Sequence, residues 1–554
     1  MCGITGYVKF IKSLSSVDIN NLEKMNNSLK HRGPDYQSVK IYNNKVGLGS
    51  SRLKIIDISD RSNMPFEDEN FVISYNGEIY NFETLKKDLI DQGEYFLTNS
   101  DTEVIIKLFR KYGILTFDKL EGMFAVAIYD KKNSKLYLTR DVFGIKPLYY
   151  YLDSEKIIFS SEFETILNNF KIDNTLDKFS IYAFLKKGSV CEPHTLYKSI
   201  KSLKAGSILS YDDINGISFD KFNSLKDIVL KAENCEKKFD KKELIYEINK
   251  SIQSNLRADV DNSLMLSSGV DSLYIYEKIK KIKTFTISPD NSRGSIIDEI
   301  KNLKHLKIKF DFFKYYTKND LINVRNMEYY KKNLSIDGEQ YYILSNFIKS
   351  KGIKVTLSGI GGDEIMNSYP SFNLIPKIIK LQKYFPRKLK NLNISNYKIN
   401  KFFRLLGSES LVETYMEFRS SFSDYEISKW GNNFSKENKN KLLEIYQKEI
   451  SGIKFLGNKI KLLELNFYLK DQVLKEVDFA SMQNSLEVRV PYLTKKILFL
   501  SSLVDQKKIL SKEILINECN LLQKKKYDKI PFLFSTFNRK EEKKLMLAKV
   551  VKVF

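Results

Sequence analysis

The chain has 554 residues, more than a single compact core usually contains. Hydrophobic residues make up 42% of it and aromatic residues 13%, which excludes a mainly disordered chain. The 91 Lys and Arg against 68 Asp and Glu give a formal net charge of +23. The excess is nearly all lysine, spread along the chain, whereas arginine, which contacts phosphates and guanine bidentately, is scarce. We therefore favour a general bias toward lysine over a nucleic-acid-binding surface.

The cysteine and histidine content limits the metal and disulfide chemistry. Cys2, Cys191, Cys235 and Cys519 lie far apart, which excludes a zinc ribbon and argues against a disulfide framework. Three histidines leave little room for a histidine-based metal site. No run approaches the ~18 apolar residues of a membrane helix, and the first ten residues lack the plan of a secretory signal. We expect a soluble cytoplasmic protein with no membrane or nucleic-acid partner.

Residues 1 to about 210 show the pattern of short strands with two helices. Runs rich in Val, Ile, Phe and Tyr predict strands at 45–48, 71–75, 124–129 and 135–139. Amphipathic spacing predicts helices at 82–92 and 102–112. Residues 213–240 are polar with little alternation, which predicts a linker. We therefore divide the chain into domains at 1–212 and 241–554.

From residue 241 the pattern changes to helices that alternate with buried strands. It predicts helices at 242–256, 272–281 and 340–351, and strands at 262–266, 284–288 and 353–357. Strands separated by helices of this length indicate a parallel sheet. Residues 375–554 are predicted to be mostly helical.

Cys2 directly follows the initiator methionine. Removal of Met1 would leave Cys2 with both a thiol and a free α-amine. Because an α-amine has a pKa of ~7.7–8.0, one residue could supply nucleophile and base without histidine. Taken alone, Cys2 is better interpreted as a second residue without a role.

Further segments accompany Cys2 in a fixed order. They are MCGITG (1–6), HRGPD (31–35), SRLKIID (51–57), YNGEIYN (75–81), SDTE (100–103), RDVFGIKPLYY (140–150) and SE (161–162). Together they resemble the glutaminase domain of the class II, N-terminal-nucleophile glutamine amidotransferases. The resemblance covers roughly the first 210 residues and implies an αββα sandwich.

The resemblance implies a role for each matching residue. Cys2 attacks the carboxamide of glutamine, and Asn76 with the backbone N–H of Gly77 forms the oxyanion hole. Arg52 pairs with the α-carboxylate of glutamine, and Glu78 and Asp101 hold its α-ammonium group. By itself, the Asn76-Gly77 pair is also compatible with a hairpin turn.

A second motif, SSGVDS (267–272), joins a predicted strand to a predicted helix. No Walker A loop occurs in the chain. Small residues let backbone N–H groups surround an anion, and the start of a helix adds a favourable dipole. The segment resembles the SGGxDS loop of ATP pyrophosphatases, with Ser268 in place of the second glycine. A lone serine-rich turn of this kind would more often be structural.

Three downstream segments extend the second resemblance. They are LSGIGGDE (357–364), YLKD with VDFASM (468–471 and 477–482), and SLEVRVPYL (485–493). They are similar to the synthetase domain of the asparagine synthetase B family, the glutamine-hydrolysing type. This similarity implies a doubly wound parallel sheet of the adenine-nucleotide α-hydrolase type with a helical C-terminal part.

ATP and Mg²⁺ are the cofactors that this resemblance implies. The Mg²⁺ ligands would be Asp271 and Asp363, since hard cations prefer carboxylate oxygen. Lys529 would contact phosphate in the transition state, although an ordinary solvent-facing lysine fits that position nearly as well. The ATP-binding residues would be Leu266, Ser267, Ser268, Gly269, Asp271, Ser272, Ile287, Ser358 and Gly359.

Three departures from the family pattern concern the acceptor of ammonia. Ile360 stands where the family has an acid, Phe479 where it has Arg, and Thr494 where Asp is usual. We expect these changes to cluster at the acceptor pocket. They leave two substrates open, aspartate or another carboxylate such as a uronic acid in surface-polysaccharide synthesis. Compensation by other residues is equally open.

The complete set of motifs predicts an enzyme that joins ammonia from glutamine to a carboxylate, with ATP converted to AMP. A basic nucleic-acid-binding protein on a degenerate scaffold would not need the glutaminase motifs. A lactam-forming ligase would not need ammonia, and therefore would not need Cys2. Small molecules are the expected partners, and a homodimer is compatible with this interpretation.

Overall fold

The structure of the chain, a computed structural model, describes residues 2–279, 281–289, 305–310, 338–391, 396–429, 431–504, 510–523 and 543. Its first part contains two six-stranded antiparallel sheets, and its second part contains one five-stranded parallel sheet. Most of the remaining described residues are helical.

The first antiparallel sheet has the order β10-β8-β9-β1-β3-β2. Its strands are β1 (Cys2–Lys9), β2 (Tyr36–Tyr42), β3 (Val46–Arg52), β8 (Tyr149–Leu152), β9 (Lys156–Ser160) and β10 (Ile200–Ser202). The second sheet has the order β12-β11-β7-β6-β5-β4. Its strands are β4 (Phe66–Glu67), β5 (Phe71–Ile79), β6 (Gly122–Asp130), β7 (Lys135–Arg140), β11 (Ser207–Asp212) and β12 (Gly216–Lys221). The four strands predicted in this part overlap β3, β5, β6 and β7.

The two sheets stack, and helices cover their outer faces. Ile158 and Phe159, neighbours on β9, point in opposite directions because successive strand residues face opposite sides. Phe159 packs between the sheets with Leu48 and Leu138, whereas Ile158 packs outward against Leu22. The outer helices are α1 (Ser16–Asn27) and α5 (Phe163–Asn169) on the first sheet, and α2 (Phe82–Ile90), α3 (Asp101–Tyr112) and α4 (Thr116–Lys119) on the second. The predicted αββα sandwich is confirmed.

The expected linker at 213–240 is largely structured, which corrects the sequence interpretation. Strand β12 pairs with β11 at the edge of the second sheet. Most of its side chains are exposed, so the alternation that marks a half-buried strand is absent from its sequence. A helix, α7 (Leu225–Asn234), follows and buries Leu225, Ile228, Val229 and Ala232. Residues 235–240 form the irregular segment between this helix and the next one.

The second part is built on a parallel sheet of order β15-β14-β13-β16-β17. Its strands are β13 (Asn262–Met265), β14 (Lys283–Pro289), β15 (His305–Phe310), β16 (Val355–Leu357) and β17 (Glu487–Arg489). The helices beside it are α8 (Lys241–Ser254), α9 (Val270–Ile279) and α10 (Gly338–Ser350). Leu264 faces the α8–α9 side and Met265 the α10 side, so helices cover both faces. The predicted doubly wound parallel sheet is confirmed.

The helical C-terminal part surrounds this sheet and contacts the first domain. Its shorter helices are α11 (Gly362–Ile365), α15 (Asp424–Ser428), α20 (Glu513–Ile516) and α21 (Asn520–Gln523). The longer ones are α12 (Pro370–Gln382), α13 (Tyr397–Leu406), α14 (Leu411–Arg419), α16 (Asn432–Ile450), α17 (Leu456–Leu463), α18 (Lys475–Met482) and α19 (Lys495–Ser502). A π-helical stretch, Glu464–Leu474, joins α17 to α18. Helix α6 (Lys178–Lys187) of the first part packs against α14, α15 and α16.

Candidate active sites

Cys2 opens β1 and pairs across the first sheet with Arg52 of β3. Its side chain is buried, at 6% exposure. The backbone N–H of Cys2 donates to Oδ1 of Asn76 at 3.0 Å, which connects the start of the chain to the second sheet. Burial raises the pKa of the Cys2 thiol, against the lowering effect of the chain terminus, the Leu53 N–H and Arg52.

Asn76 and Gly77 lie in the middle of β5 and pair with β6, so the hairpin-turn alternative is wrong. A Cβ atom on Gly77 would stand 2.0 Å from the carbonyl oxygen of Met123, and only glycine permits this approach. The Nδ2 group of Asn76 is buried and has no acceptor within the described part of the chain. A donor of this kind calls for a bound acceptor, because a buried unpaired N–H is costly.

Arg52 is buried beside this pair, at 4% exposure. Its guanidinium donates to the carbonyl oxygens of Ile56, Asp57 and Ser59 and to Oδ1 of Asn63. No carboxylate within the described residues forms an ion pair with it. A buried guanidinium held only by neutral acceptors favours an anionic ligand.

Glu78 and Asp101 form an acidic corner of the same site. Asp101, at the start of α3, accepts from the Tyr75 hydroxyl at 2.8 Å and from the Ile79 N–H at 3.1 Å. Glu78 forms an ion pair at 3.2 Å with Arg489 of β17. Burial raises the pKa of both carboxyl groups. A bound cation would therefore stabilise the ionised forms of Glu78 and Asp101.

The second site lies at the carboxyl edge of the parallel sheet. The chain proceeds from β13 toward β14 and β15 on one side, and β16 and β17 lie on the other, so a topological switch point falls between β13 and β16. Ligands of such sheets bind in the crevice at the switch point. Residues 267–272 follow β13, and residues 358–364 follow β16. Both predicted loops meet there.

The two loops touch closely. A Cβ atom on Gly359 would stand 2.9 Å from the Ser272 nitrogen, and one on Gly362 would stand 2.5 Å from the Asp271 carboxylate. Within the first loop, the Ser272 hydroxyl bonds to the Ser267 and Gly269 carbonyl oxygens. Ser267, Ser268 and Gly269 are half-exposed.

Asp271 and Asp363 converge on one ammonium group. Nζ of Lys512 lies 2.5 Å from Oδ2 of Asp271 and 2.6 Å from Oδ1 of Asp363. Burial lowers the pKa of Lys512, but the two carboxylates outweigh it and the pKa is raised. The pair therefore accommodates a cation between its oxygens. No sequence signal marks Lys512, because it is one of many lysines in the C-terminal third.

The remaining predicted nucleotide residues lie on or directly after strands of the same parallel sheet. Leu266 follows β13 and is buried, and Ile287 is buried on β14. The Ser358 N–H donates to the carbonyl oxygen of Arg489 at 2.9 Å. Lys529 lies outside the described residues.

Comparisons with known proteins agree with this two-site arrangement. A family model described as a glutamine amidotransferase domain matches residues 1–222, and one described as asparagine synthase matches residues 243–513. A relative from Methanocaldococcus jannaschii, named putative asparagine synthetase (glutamine-hydrolyzing) 2, is 31% identical over 89% of this chain and 100% of its own length. The chain belongs to the glutamine-hydrolysing asparagine synthetase family.

Two bacterial relatives extend the comparison. Asparagine synthetase 1 of Bacillus subtilis is 28% identical over 91% of this chain and 81% of its own. Asparagine synthetase B of Escherichia coli is 27% identical over 74% of this chain and 73% of its own. The protein is thus a carbon–nitrogen ligase of the asparagine synthetase type with glutamine as nitrogen donor, and its family uses ATP.

Buried ion pairs join the two halves of this synthetase. Arg32 is fully buried, and its Nη2 lies 2.8 Å from Asp478 of α18. Its Nε donates to the carbonyl oxygen of Cys2 at 3.4 Å. Lys146 also reaches Asp478, at 3.5 Å. The Cys2 strand is therefore held directly against the synthetase half.

Arg489 touches both candidate sites. Its side chain pairs with Glu78 and with Glu487, and its carbonyl oxygen accepts from Ser358 in the second loop. Arg489 lies in the segment SLEVRVPYL (485–493), but no role for this residue was predicted from the sequence. The sequence does contain a hint of this role. Arginine is scarce in this lysine-rich chain, and an arginine in a mostly apolar segment indicates a buried guanidinium that makes several hydrogen bonds at once.

The three departures from the family pattern lie in three different local settings. Thr494 caps α19, where its hydroxyl accepts from the Ile497 N–H at 3.1 Å. Thr and Asp are both good N-caps, so this change is structurally neutral. Ile360 is half-buried against apolar clusters on both faces of the parallel sheet. Phe479, also half-buried, follows Asp478 on α18.

Two further findings on the described residues concern membranes and metal ions. No helix in the described ranges is both long enough and apolar enough to cross a bilayer. The same ranges contain no group of three or more His, Cys, Asp and Glu that could hold a metal ion. The Asp271–Asp363 pair still fits Mg²⁺, which usually takes one or two carboxylates together with substrate phosphates.

Proposed function

We propose that this family member converts aspartate to asparagine, with ammonia from glutamine and with ATP cleaved to AMP and diphosphate. Residues 1–212 would act as the glutaminase and residues 241–554 as the synthetase, in the cytoplasm. One observation supports the proposal above all. The same chain contains a buried site around Cys2 and a crevice between the two loops that follow β13 and β16, at the switch point of the parallel sheet.

In the glutaminase half, the Cys2 thiolate would attack the carboxamide carbon of glutamine and form a thioester as ammonia leaves. After removal of Met1, the Cys2 nitrogen would be the α-amine that takes up the thiol proton. This nitrogen already hydrogen bonds to Asn76. The unpaired Nδ2 of Asn76 and the Gly77 N–H would stabilise the oxyanion, worth ~3–4 kcal/mol for such a donor.

The charged residues around Cys2 would orient glutamine. Arg52, which lacks a carboxylate partner among the described residues, would bind the α-carboxylate. Glu78 and Asp101 would bind the α-ammonium group. The raised pKa values of these two carboxyl groups support this role, since a bound cation would return both to the ionised form.

In the synthetase half, backbone and hydroxyl groups of Ser267, Ser268, Gly269 and Ser272 would hold the diphosphate part of ATP. Ser358 and Gly359 would close the other side, and Leu266 and Ile287 would border adenine. Asp271 and Asp363 would hold Mg²⁺, which neutralises phosphate charge when bound. Lys512 would then leave its position between them, and Lys529 would contact phosphate.

The test is an acceptor panel. The full chain is supplied with glutamine, ATP and Mg²⁺ together with aspartate or with one of several uronic acids, and AMP is measured. Aspartate should release AMP and asparagine in equal amounts. Release of ADP, or AMP formed only with another acid, would contradict the proposal.

Ile360 favours a second candidate, amidation of a different carboxylate such as a uronic acid. Its apolar surroundings leave the amination step without the acid that the family places there, and a positioned base contributes about 10²–10⁴-fold. Ile360→Glu separates the two candidates. The variant should raise asparagine formation if aspartate is the acceptor, and lower amidation if the pocket suits another acid. Ile360→Gln, which has the same size without charge, is the matched control.

A further inference from the structure

A 44-residue stretch of the synthetase half, from 365 to 408, contains no Asp or Glu. With 68 acidic residues in 554, about five would be expected in a stretch of this length. The same stretch contains nine Lys and Arg. The general excess of lysine does not explain the absence of acids, so this segment differs from the rest of the chain.

Helices α12 and α13 pack against each other and present much of this stretch to solvent. Helix α12 buries Phe372, Ile375 and Ile378 on its inner side. Six of the 18 large hydrophobic side chains exposed in the described ranges lie on its outer side, just after it, or on α13. They are Leu374, Leu381, Tyr384, Phe385, Ile399 and Phe402, with exposures from 40% to 82%. Exposed apolar side chains gathered in this way mark an interaction surface.

Exposed cations alternate along the chain with these apolar side chains. They are Lys377, Lys380, Lys383, Arg387, Lys388 and Lys398. None of the six takes part in a salt bridge with a described residue. We name the six apolar and six basic side chains together the basic–apolar surface.

We propose that the basic–apolar surface docks on the face of an anionic phospholipid bilayer. Helices that lie in the plane of a bilayer combine a cationic polar side with Leu, Ile, Phe or Tyr, which enter the headgroup boundary. On α12, Leu374 and Leu381 lie two helical turns apart, and Lys377 lies between them on the same outer face. Such a surface contacts a bilayer without spanning it.

A bilayer fits this surface better than a nucleic acid does. Nucleic-acid binders contact phosphates through lysine as well as arginine, so the apolar side chains, rather than the six cations, separate the two partners. The phosphate backbone of a nucleic acid offers no apolar surface against which Leu374, Leu381 and Ile399 could be buried. In a bilayer, the same side chains would leave water while the lysine ammonium groups stay at the headgroups.

The proposal departs from the sequence expectation of no membrane partner. Helix α12 begins six residues after Glu364 at the end of the second loop, so the surface and the synthetase site are close along the chain. The docking itself does not depend on which carboxylate is the acceptor.

The experiment is co-sedimentation of the full chain with vesicles. Vesicles of phosphatidylcholine alone are compared with vesicles that contain about one third phosphatidylserine, at low and at high salt. The triple variant Lys377→Glu/Lys380→Glu/Lys383→Glu tests the charge, and Leu381→Ser/Tyr384→Ser tests the apolar side. Because the whole chain is basic, the matched control is Lys12→Glu/Lys30→Glu/Lys87→Glu, which reverses three exposed lysines on the glutaminase half.

The unmodified chain should bind the phosphatidylserine vesicles and release them at high salt. Each lost cation lowers binding about five-fold, so the triple variant should lose about 100-fold or more. The apolar variant should weaken binding, and the control should keep it. Glutamine hydrolysis and AMP formation in solution should both be unchanged in all variants, which shows that both halves are folded. Equal losses in the triple variant and its control would overturn the proposal, as would tight binding to duplex DNA without vesicle binding, or formation of a dimer through this surface.

Discussion

The two candidate sites differ in how much of each is fixed before any substrate arrives. Around Cys2, the side chains of Arg52, Asn76, Glu78 and Asp101 are all buried, with exposures of 5% or less. At the second site, Ser267, Ser268 and Gly269 are half-exposed, and the carboxylates of Asp271 and Asp363 pair with Lys512. We therefore expect the first site to be preorganised, and we expect Lys512 to move when nucleotide and Mg²⁺ bind at the second site.

The largest expected effect on activity comes from replacing Cys2, the proposed nucleophile of the first site. Cys2→Ala should lower glutamine-dependent synthesis by at least about 1000-fold, because the thiolate is the group that bonds to substrate. Synthesis from free ammonium salts should continue. Glutamate and AMP release are measured with each nitrogen source, and Cys235→Ala, a half-exposed cysteine far along the chain, is the control. Residual glutamine use in Cys2→Ala, or a retained Met1 by intact mass spectrometry of the active enzyme, would refute the assignment.

The second largest effect on activity is expected from Asp271 at the second site. Asp271→Asn should lower AMP formation by about 100-fold, because a Mg²⁺ ligand loses its charge. Glutamine hydrolysis should change less than two-fold, since the loop does not contact Cys2. The two rates are measured in parallel over a range of Mg²⁺ concentrations. Asp261→Asn, a mostly exposed carboxylate near β13, is the control, and equal loss of both activities in Asp271→Asn would mean that the two sites are not separable.

The third effect tests the connection between the sites. Arg489 holds Glu78, Glu487 and the carbonyl oxygens of Asn255 and Arg257 at once. Lysine keeps the charge but cannot make this set of contacts. In Arg489→Lys, glutamate formation should exceed AMP formation several-fold, while each half-reaction measured alone stays within about three-fold of the unmodified rate.

The control for this third prediction is Arg257→Lys, whose guanidinium is exposed and pairs with Glu83 and Asp259. Its ratio of glutamate to AMP should stay near that of the unmodified chain. A ratio near one in Arg489→Lys would remove Arg489 from the connection between the sites.

The smallest effect concerns the helices behind the second site. Lys461 is fully buried, donates to the hydroxyl and carbonyl oxygens of Ser501, and burial lowers its pKa to about 7. In the unfolded chain its pKa returns to ~10.4. Between these values the unfolded state binds more protons, so stability should rise with pH from about 7 to 10. Lys461→Met should flatten this rise in Tm; an unchanged slope would show that Lys461 does not contribute to it.

Much of the fold and of the first site was predictable from local pattern. Strand alternation located β5, β6 and β7, and the motif order brought Cys2, Arg52 and Asn76 together as the structure does. Strand β12 was missed because an exposed edge strand lacks a buried face. Lys512 and Arg489 were missed because their contacts join residues more than 200 positions apart, and no local pattern encodes such pairs.

The transfer of nitrogen between the two sites tests the combined assignment most directly. The unmodified chain is given glutamine labelled with ¹⁵N in its amide, an excess of unlabelled ammonium, ATP, Mg²⁺ and aspartate, and the carboxamide product is analysed by mass spectrometry. If Cys2 feeds the crevice through the buried contact between the halves, the product amide should carry ¹⁵N in spite of the unlabelled excess. A product that carries the isotope ratio of the bulk ammonium would show that the two sites do not work as one enzyme.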